Sequence, residues 1–221
     1  MTEHARARKT VHAIMRDTSS DTMTDLREAL AHVIWIGGGP MVGKSTLAGL
    51  LAEKHSLTHY DLDEHGVSEH RRRPGEATLR FEELTMDERW LGPGPTALLE
   101  RSIAIWSERF ALVIEDLLAL PRSHIVVAEG PGTLPWLVAP LVRTPQQAIF
   151  LVPTTRMRNA VELRRGPGFL ARTSDPELAA VDLRARDALL WERITSFCSI
   201  LGLRLEIADT TRGVEASLAR L

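Results

Sequence analysis

The stretch Gly37-Gly38-Gly39-Pro40-Met41-Val42-Gly43-Lys44-Ser45-Thr46 follows the apolar run His32-Val33-Ile34-Trp35-Ile36 without a gap. From Gly38 to Ser45 it satisfies G-x-x-x-x-G-K-[ST], and no other feature constrains the fold as much. The pattern has mechanical meaning only where a strand delivers the chain into the turn and a helix carries it away. Glycines there permit backbone angles and a close approach that side chains would block, so successive N–H groups can converge on phosphate oxygens. Thr46 to Lys54 reads as the helix, with its positive end facing the same anion. Lys44 is placed to reach the β and γ phosphates, and the Ser45 hydroxyl to ligate Mg²⁺. Gly38, Gly39, Pro40, Met41, Val42, Gly43 and Thr46 complete the cradle. The expectation is a bound nucleotide.

Around this loop, apolar runs alternate with helical stretches. Strands are expected at residues 32–36, 57–62, 124–128, 147–152 and 204–208. Five strands separated by helices predict an α/β chain with a five-stranded parallel sheet and helices on both faces, the P-loop NTPase fold. Pro95 fits the first turn of a long helix whose apolar residues from Leu98 to Leu117 recur at three and four spacing until Pro121 stops it. Residues 1–24 alternate charge and small polar groups without a period and read as a flexible tail. Thr24 or Asp25 is placed to cap a short helix through Ala31, and residues 25–221 read as one domain.

A formal charge of -2 gives no ground for a nucleic acid or membrane partner. The single cysteine, Cys198, forms no internal disulfide. No run approaches the roughly 18 apolar residues of a membrane span, and the first residues lack the apolar core of a secretory signal. A cytoplasmic protein is expected.

The loop alone does not separate GTPases, ATP-driven motors and kinases. The guanine reader N-K-x-D cannot occur, because Asn159 is the only asparagine and Ala160 follows it. Motors run larger, and the third strand ends in Glu129 where their metal-binding aspartate usually stands. The second strand ends His59-Tyr60-Asp61-Leu62-Asp63-Glu64. If the chain stays extended, Asp61 and Asp63 share one side, at the strand end where open α/β sheets bind ligands. One carboxylate then serves the Mg²⁺ shell and the other accepts a proton from an incoming hydroxyl. The alternative is a solvated strand-end turn in which Asp63 or Glu64 caps a helix.

Residues 32–65, and more loosely 124–221, resemble the small P-loop phosphotransferases of the shikimate and gluconate kinase type, with chloramphenicol phosphotransferase and the zeta toxins as relatives. The interval from Lys44 to the aspartate pair matches the shikimate-kinase pattern without a gap. The resemblance implies that Asp61 lies near Mg²⁺ and that Asp63 binds and deprotonates the acceptor hydroxyl. It also implies that residues 66–123, which match nothing in the family, form the acceptor-binding insertion. Glu129 and Gly130, with Gly132, stand where the family carries a glycine-rich substrate contact; Glu129 is placed to bind acceptor hydroxyls, to assist the metal, or to shape a turn. The run Thr155 to Glu177 looks like the family's arginine-bearing lid, at about residues 164–176, with Arg165, Arg172 and Arg164 its candidate phosphate-facing groups. The turn at Asp209 to Arg212 lies where relatives contact adenine, near Thr210, and a last helix is expected after it.

The activity implied is ATP- and Mg²⁺-dependent transfer of the γ-phosphoryl group to a hydroxyl of a small molecule. Two alternatives stay open: a nucleoside, nucleotide or nucleotide-sugar kinase, and a binding protein that ATP regulates without phosphotransfer. His59, His65 and His70 lack metal-ligand spacing with other donors. Arg71-Arg72-Arg73 reads as a solvated face or as a reader of an acceptor anion.

Overall fold

The computed structural model describes residues 20–165 and 168–209. The tail up to residue 19, Gly166, Pro167 and everything from Thr210 on lie outside the described residues, as do the side chains of Arg164 and Arg165. In chain order the elements are α1 (Ser20–Ala29), β1 (Val33–Gly38), α2 (Lys44–His55), β2 (Thr58–Asp61), α3 (Leu62–Ser68), α4 (Glu76–Glu83), α5 (Met86–Trp90), α6 (Gly94–Ala119), β3 (Val126–Glu129), α7 (Pro135–Val138), β4 (Ala148–Pro153), α8 (Thr155–Arg165), α9 (Pro176–Leu201) and β5 (Arg204–Ala208).

The sheet runs β2-β3-β1-β4-β5, and every pair is parallel. After β1 the chain goes to the edge strand β2, returns to place β3 between β2 and β1, then crosses to β4 and β5 on the other side. This leaves a crevice at the carboxyl end of β1, the place where such sheets bind ligands. Strand periodicity divides the core in two. Trp35, Ala128 and Phe150 face α6, α9 and α1, with the Trp35 and Phe110 rings 5.7 Å apart. Ile36, Val127, Ile149 and Leu151 face the other way, onto Leu47, Ala48 and Leu51 of α2. Both faces are covered, as a parallel sheet requires.

The two longest helices pack against each other. Helix α6 ends just before Pro121, as its sequence predicts. Helix α9 is capped by Asp175, whose side chain accepts from the Leu178 N–H, and it closes on a left-handed Gly202. The first helix corrects the sequence reading: it starts at Ser20, before the expected cap, and ends at Ala29. Met23, Leu26 and Leu30 recur on one face and pack into the main core, and that burial outweighs the weak propensity of the serines and threonines around them.

Candidate active site

The glycine loop lies between β1 and α2, as its mechanism demands. Gly38 has φ 131°, and a Cβ there would fall 2.2 Å from the Leu151 carbonyl oxygen. The loop can therefore turn away from β4 only with glycine at this position. At Gly39 the obstacle is an aromatic ring: a Cβ would meet Trp191 Nε1 at 2.2 Å. Gly43, left-handed, is the N-cap of α2, and no side chain caps that helix. Its first amides are left for an anion. Lys44 is buried, and its ammonium donates to the Gly39 carbonyl at 2.8 Å, arching back over the loop. Pro40 and Met41 form the outer tip and Val42 is buried beneath it.

Two acidic residues meet at the neighbouring strand ends. The β2 and β3 register sets Asp61 opposite Glu129, while β1 sets Ile36 opposite the same glutamate. Glu129 is only 1% exposed. Burial pushes its carboxyl above the usual range, and the Asp61 charge adds to this; the Ser45 hydroxyl, hydrogen-bonded to it, and the Lys44 and His59 charges pull the other way. Its Oε1 is buried without a hydrogen-bond partner, with His59 Nε2 at 3.6 Å. A buried carboxylate oxygen with no donor, beside a serine hydroxyl and a phosphate loop, suits a hard divalent cation that takes oxygen ligands. Among the described residues no group of three His, Cys, Asp or Glu could hold a metal by itself. A Mg²⁺ ion here would need further ligands from phosphate and water, as this ion ordinarily takes.

The aspartate pair differs from the extended arrangement expected of it. Strand β2 stops at Asp61, whose Oδ1 accepts from the Asp63 N–H at 2.7 Å and the Glu64 N–H at 3.2 Å. Asp61 is thus the N-cap of α3, and Asp63 sits exposed in its first turn. Helix formation wins here because the strand-end aspartate satisfies two orphan amides at once. Gly130 follows β3; a Cβ on it would come 2.6 Å from Leu62 Cβ, so the start of α3 rests directly on the end of β3.

Behind this edge lies a buried network absent from the sequence reading. The Tyr60 hydroxyl donates to Asp116 Oδ2 at 2.6 Å, and His70 Nε2 is 2.7 Å from the same oxygen. Burial would raise the Asp116 carboxyl, but the hydrogen bonds from His70 and Tyr60 outweigh it and hold it below its ordinary value. His65 stacks on Tyr60 with centroids 4.2 Å apart. The three histidines are thereby accounted for as contacts to carboxylates and a ring. In the basic run, Arg73 pairs with Glu115, and Arg71 lies 3.7 Å from Glu82.

Residues 168–172 form a 3-10 turn that docks on the insertion. Phe169 lies 4.7 Å from the Trp90 ring, the Ser174 N–H donates to Asp87 at 2.7 Å, and the exposed Arg172 reaches Met86 Sδ at 3.2 Å. The Ser174 hydrogen bonds hold Asp87 below its usual carboxyl value. A cavity of about 1,090 Å³ runs between this turn, the first turns of α9 and the loop tip at Pro40 and Met41. The structure therefore brings the loop, Ser45, Asp61 and Glu129 to one edge, with Asp63 a turn beyond. Trp191 and Asp116 were the functional neighbours that sequence reasoning missed, since no local spacing links either to the loop.

No family model matches the chain, and no curated protein matches it. Among solved structures it is similar to the shikimate kinase of Bacteroides thetaiotaomicron (18% identity, TM-score 0.42, 85% of this chain and 94% of that one). It is also similar to shikimate kinase from Acinetobacter baumannii in complex with shikimate (17%, 0.43, 88% and 93%), and to shikimate kinase from Aquifex aeolicus (15%, 0.37, 85% and 94%). The five-stranded parallel architecture is read from this chain's own strand pairing. No described helix is long and apolar enough to cross a membrane.

Proposed function

We propose that this chain is an ATP-dependent kinase that transfers the γ-phosphoryl group to a hydroxyl of a small molecule. The observation that carries the reading is the buried, donor-less Oε1 of Glu129 placed beside Ser45 and Lys44 at the mouth of the glycine loop. In a strand with no chemical task, a buried carboxylate oxygen left without a hydrogen bond is a cost without a return.

On this reading the loop amides and Lys44 hold the β and γ phosphates, and Lys44 leaves the Gly39 carbonyl to do so. Ser45, Glu129 and Asp61 are the groups that would hold Mg²⁺, which would supply neutralisation of the phosphate charge. The acceptor oxygen bonds to the γ phosphorus as the bond to the β–γ bridging oxygen breaks, its proton passes to the Asp63 carboxylate, and ADP leaves. Arg165 and Arg172, from either side of the Gly166 to Gly168 break, supply cations to the transferring group, Arg172 leaving Met86 Sδ to do so. Acceptor contacts fall to Asp63 and Gly130 and to the cavity beside the loop tip.

One observation favours a second reading, an ATP-regulated binding protein. Asp61 is engaged as a helix cap and Asp63 is exposed, an arrangement that needs no catalysis to explain it. A single experiment separates the two. Protein, Mg²⁺-ATP and a pool of hydroxylated metabolites are incubated and searched by mass spectrometry for a compound gaining a phosphoryl group, with Lys44→Ala as the blank. The kinase reading expects a Lys44-dependent product whose turnover falls about 100 to 10,000-fold in Asp63→Asn, with ATP affinity nearly unchanged. Turnover unaffected by that change removes Asp63 from the mechanism, and ATP binding without any product favours the binding protein.

A further inference from the structure

The cavity beside the loop tip has walls of unequal character. Pro40, Met41, Phe169, Leu170, Val181 and Leu183 give it an apolar lining, and Phe169 and Val181 remain about half exposed (48% and 51%) although apolar. Most of its polar residues are engaged, although Arg186 Nε makes no hydrogen bond. Asp175 accepts from the Leu178 N–H at 3.0 Å, and the Ser174 N–H is taken by Asp87. Arg186 lies 2.9 Å from Asp187 and donates to Ser102 Oγ at 3.1 Å. Arg184 is partnered as well, and Glu177 is exposed at the rim.

A ligand seated here meets mostly apolar atoms, with Glu177 at the rim and Arg186 Nε the polar positions open to it. A polyol or sugar acid would surrender several water contacts and find few groups able to replace them, and each hydroxyl left unpaired is costly. A cavity of about 1,090 Å³ is also larger than a small polyol fills. We propose that the phosphoryl acceptor is an alcohol with an apolar, ring-sized body that lies on this wall, its hydroxyl toward the loop tip. This rests on the kinase reading and specifies its acceptor class.

The test uses the full chain with Mg²⁺ and a non-hydrolysable ATP analogue, and titrates three probes separately by calorimetry: 2-(2-naphthyl)ethanol, shikimic acid and gluconic acid. Val181→Glu places a charge on the wall, while Leu178→Glu makes the same change on α9 at an exposed apolar residue that does not line the cavity. The proposal expects saturable binding of the naphthyl alcohol, weakened about tenfold or more by Val181→Glu and within about twofold of wild type in Leu178→Glu. It also expects no saturable binding of either acid. It is overturned if either acid binds more tightly than the alcohol, if the alcohol does not bind, or if both variants weaken it equally. The analogue is titrated first, with Lys44→Ala alongside. If the analogue binds and an acid is the preferred probe, the acceptor class falls and the kinase survives. If the analogue itself fails to bind, the kinase reading falls.

Discussion

The loop edge that we propose holds phosphate and the face that we propose receives the acceptor, the phosphate side and the acceptor side below, are built by different means. On the phosphate side the backbone is the instrument: Gly38 turns where only 2.2 Å separates a would-be Cβ from the Leu151 carbonyl. Asp61 and Glu129 face each other there because parallel strands fix their register. On the acceptor side, residues far apart in sequence meet through side chains, Phe169 on Trp90 and Arg172 on Met86. A site made by backbone tolerates almost no change of residue type and so leaves a pattern in the sequence. A site made by side chains can be rebuilt in many ways and leaves none.

The largest expected effect is the one that would break this comparison. Gly38→Ala forces a Cβ into a neighbouring strand's backbone at a φ that L-residues avoid. We expect a loss of about 4 kcal/mol, in the range of severe backbone and overpacking changes, and a fall in Tm of about 10 °C. Thermal unfolding measures it, and nucleotide binding should be lost in parallel. A variant that keeps the wild-type Tm would mean that the loop is held by its side chains after all.

What was legible follows the same division. All five strands were found to within two residues, because a period of two against a period of 3.6, punctuated by glycine and proline, is a local signal. The places of Lys44 and Ser45 after the loop, and of Glu129 at a strand end, were legible from equally local signals. The end of β2 was not: whether Asp61 continues a strand or caps a helix depends on Gly130 admitting Leu62 against β3, a contact across almost seventy residues. Trp191 under Gly39 and Asp116 under Tyr60 were equally out of reach. A sequence shows which residues are apolar or acidic, and the fold decides which of them meet.

The Tyr60, His70 and Asp116 network joins the two sides, tying β2 to helix α6, and its removal sharpens the comparison at intermediate size. Tyr60→Phe deletes one of two hydrogen bonds to a half-buried carboxylate. It should cost about 1.5 to 3 kcal/mol in urea unfolding at pH 7, the range for hydrogen bonds to charged groups. The Asp116 carboxyl is held low, so the stability it lends is present above its ordinary value of 3.8 and lost as pH falls through its folded value. The phenylalanine variant should therefore lose less stability than wild type on acidification. A parallel loss in both would place the linkage elsewhere.

The smallest effect has the opposite sign. Burial raises the Glu129 carboxyl above its ordinary value of 4.5, so the folded chain holds that proton more tightly than the unfolded one. The ionised residue therefore costs stability in full above its folded value, and the cost disappears as pH falls below 4.5. Glu129→Gln removes the charge at every pH. Without nucleotide or Mg²⁺ it should melt about 2 to 4 °C above wild type at pH 7, the shift that about 1 kcal/mol produces in a domain of this size. The difference should narrow as pH is lowered. With Mg²⁺-ATP added the order should reverse, because only the carboxylate can repay its burial by binding. If instead the glutamine variant is less stable at pH 7 without ligands, Glu129 is kept for its contacts with Ser45 and Lys44. The phosphate side would then be, like the acceptor side, a structure held together by its own side chains.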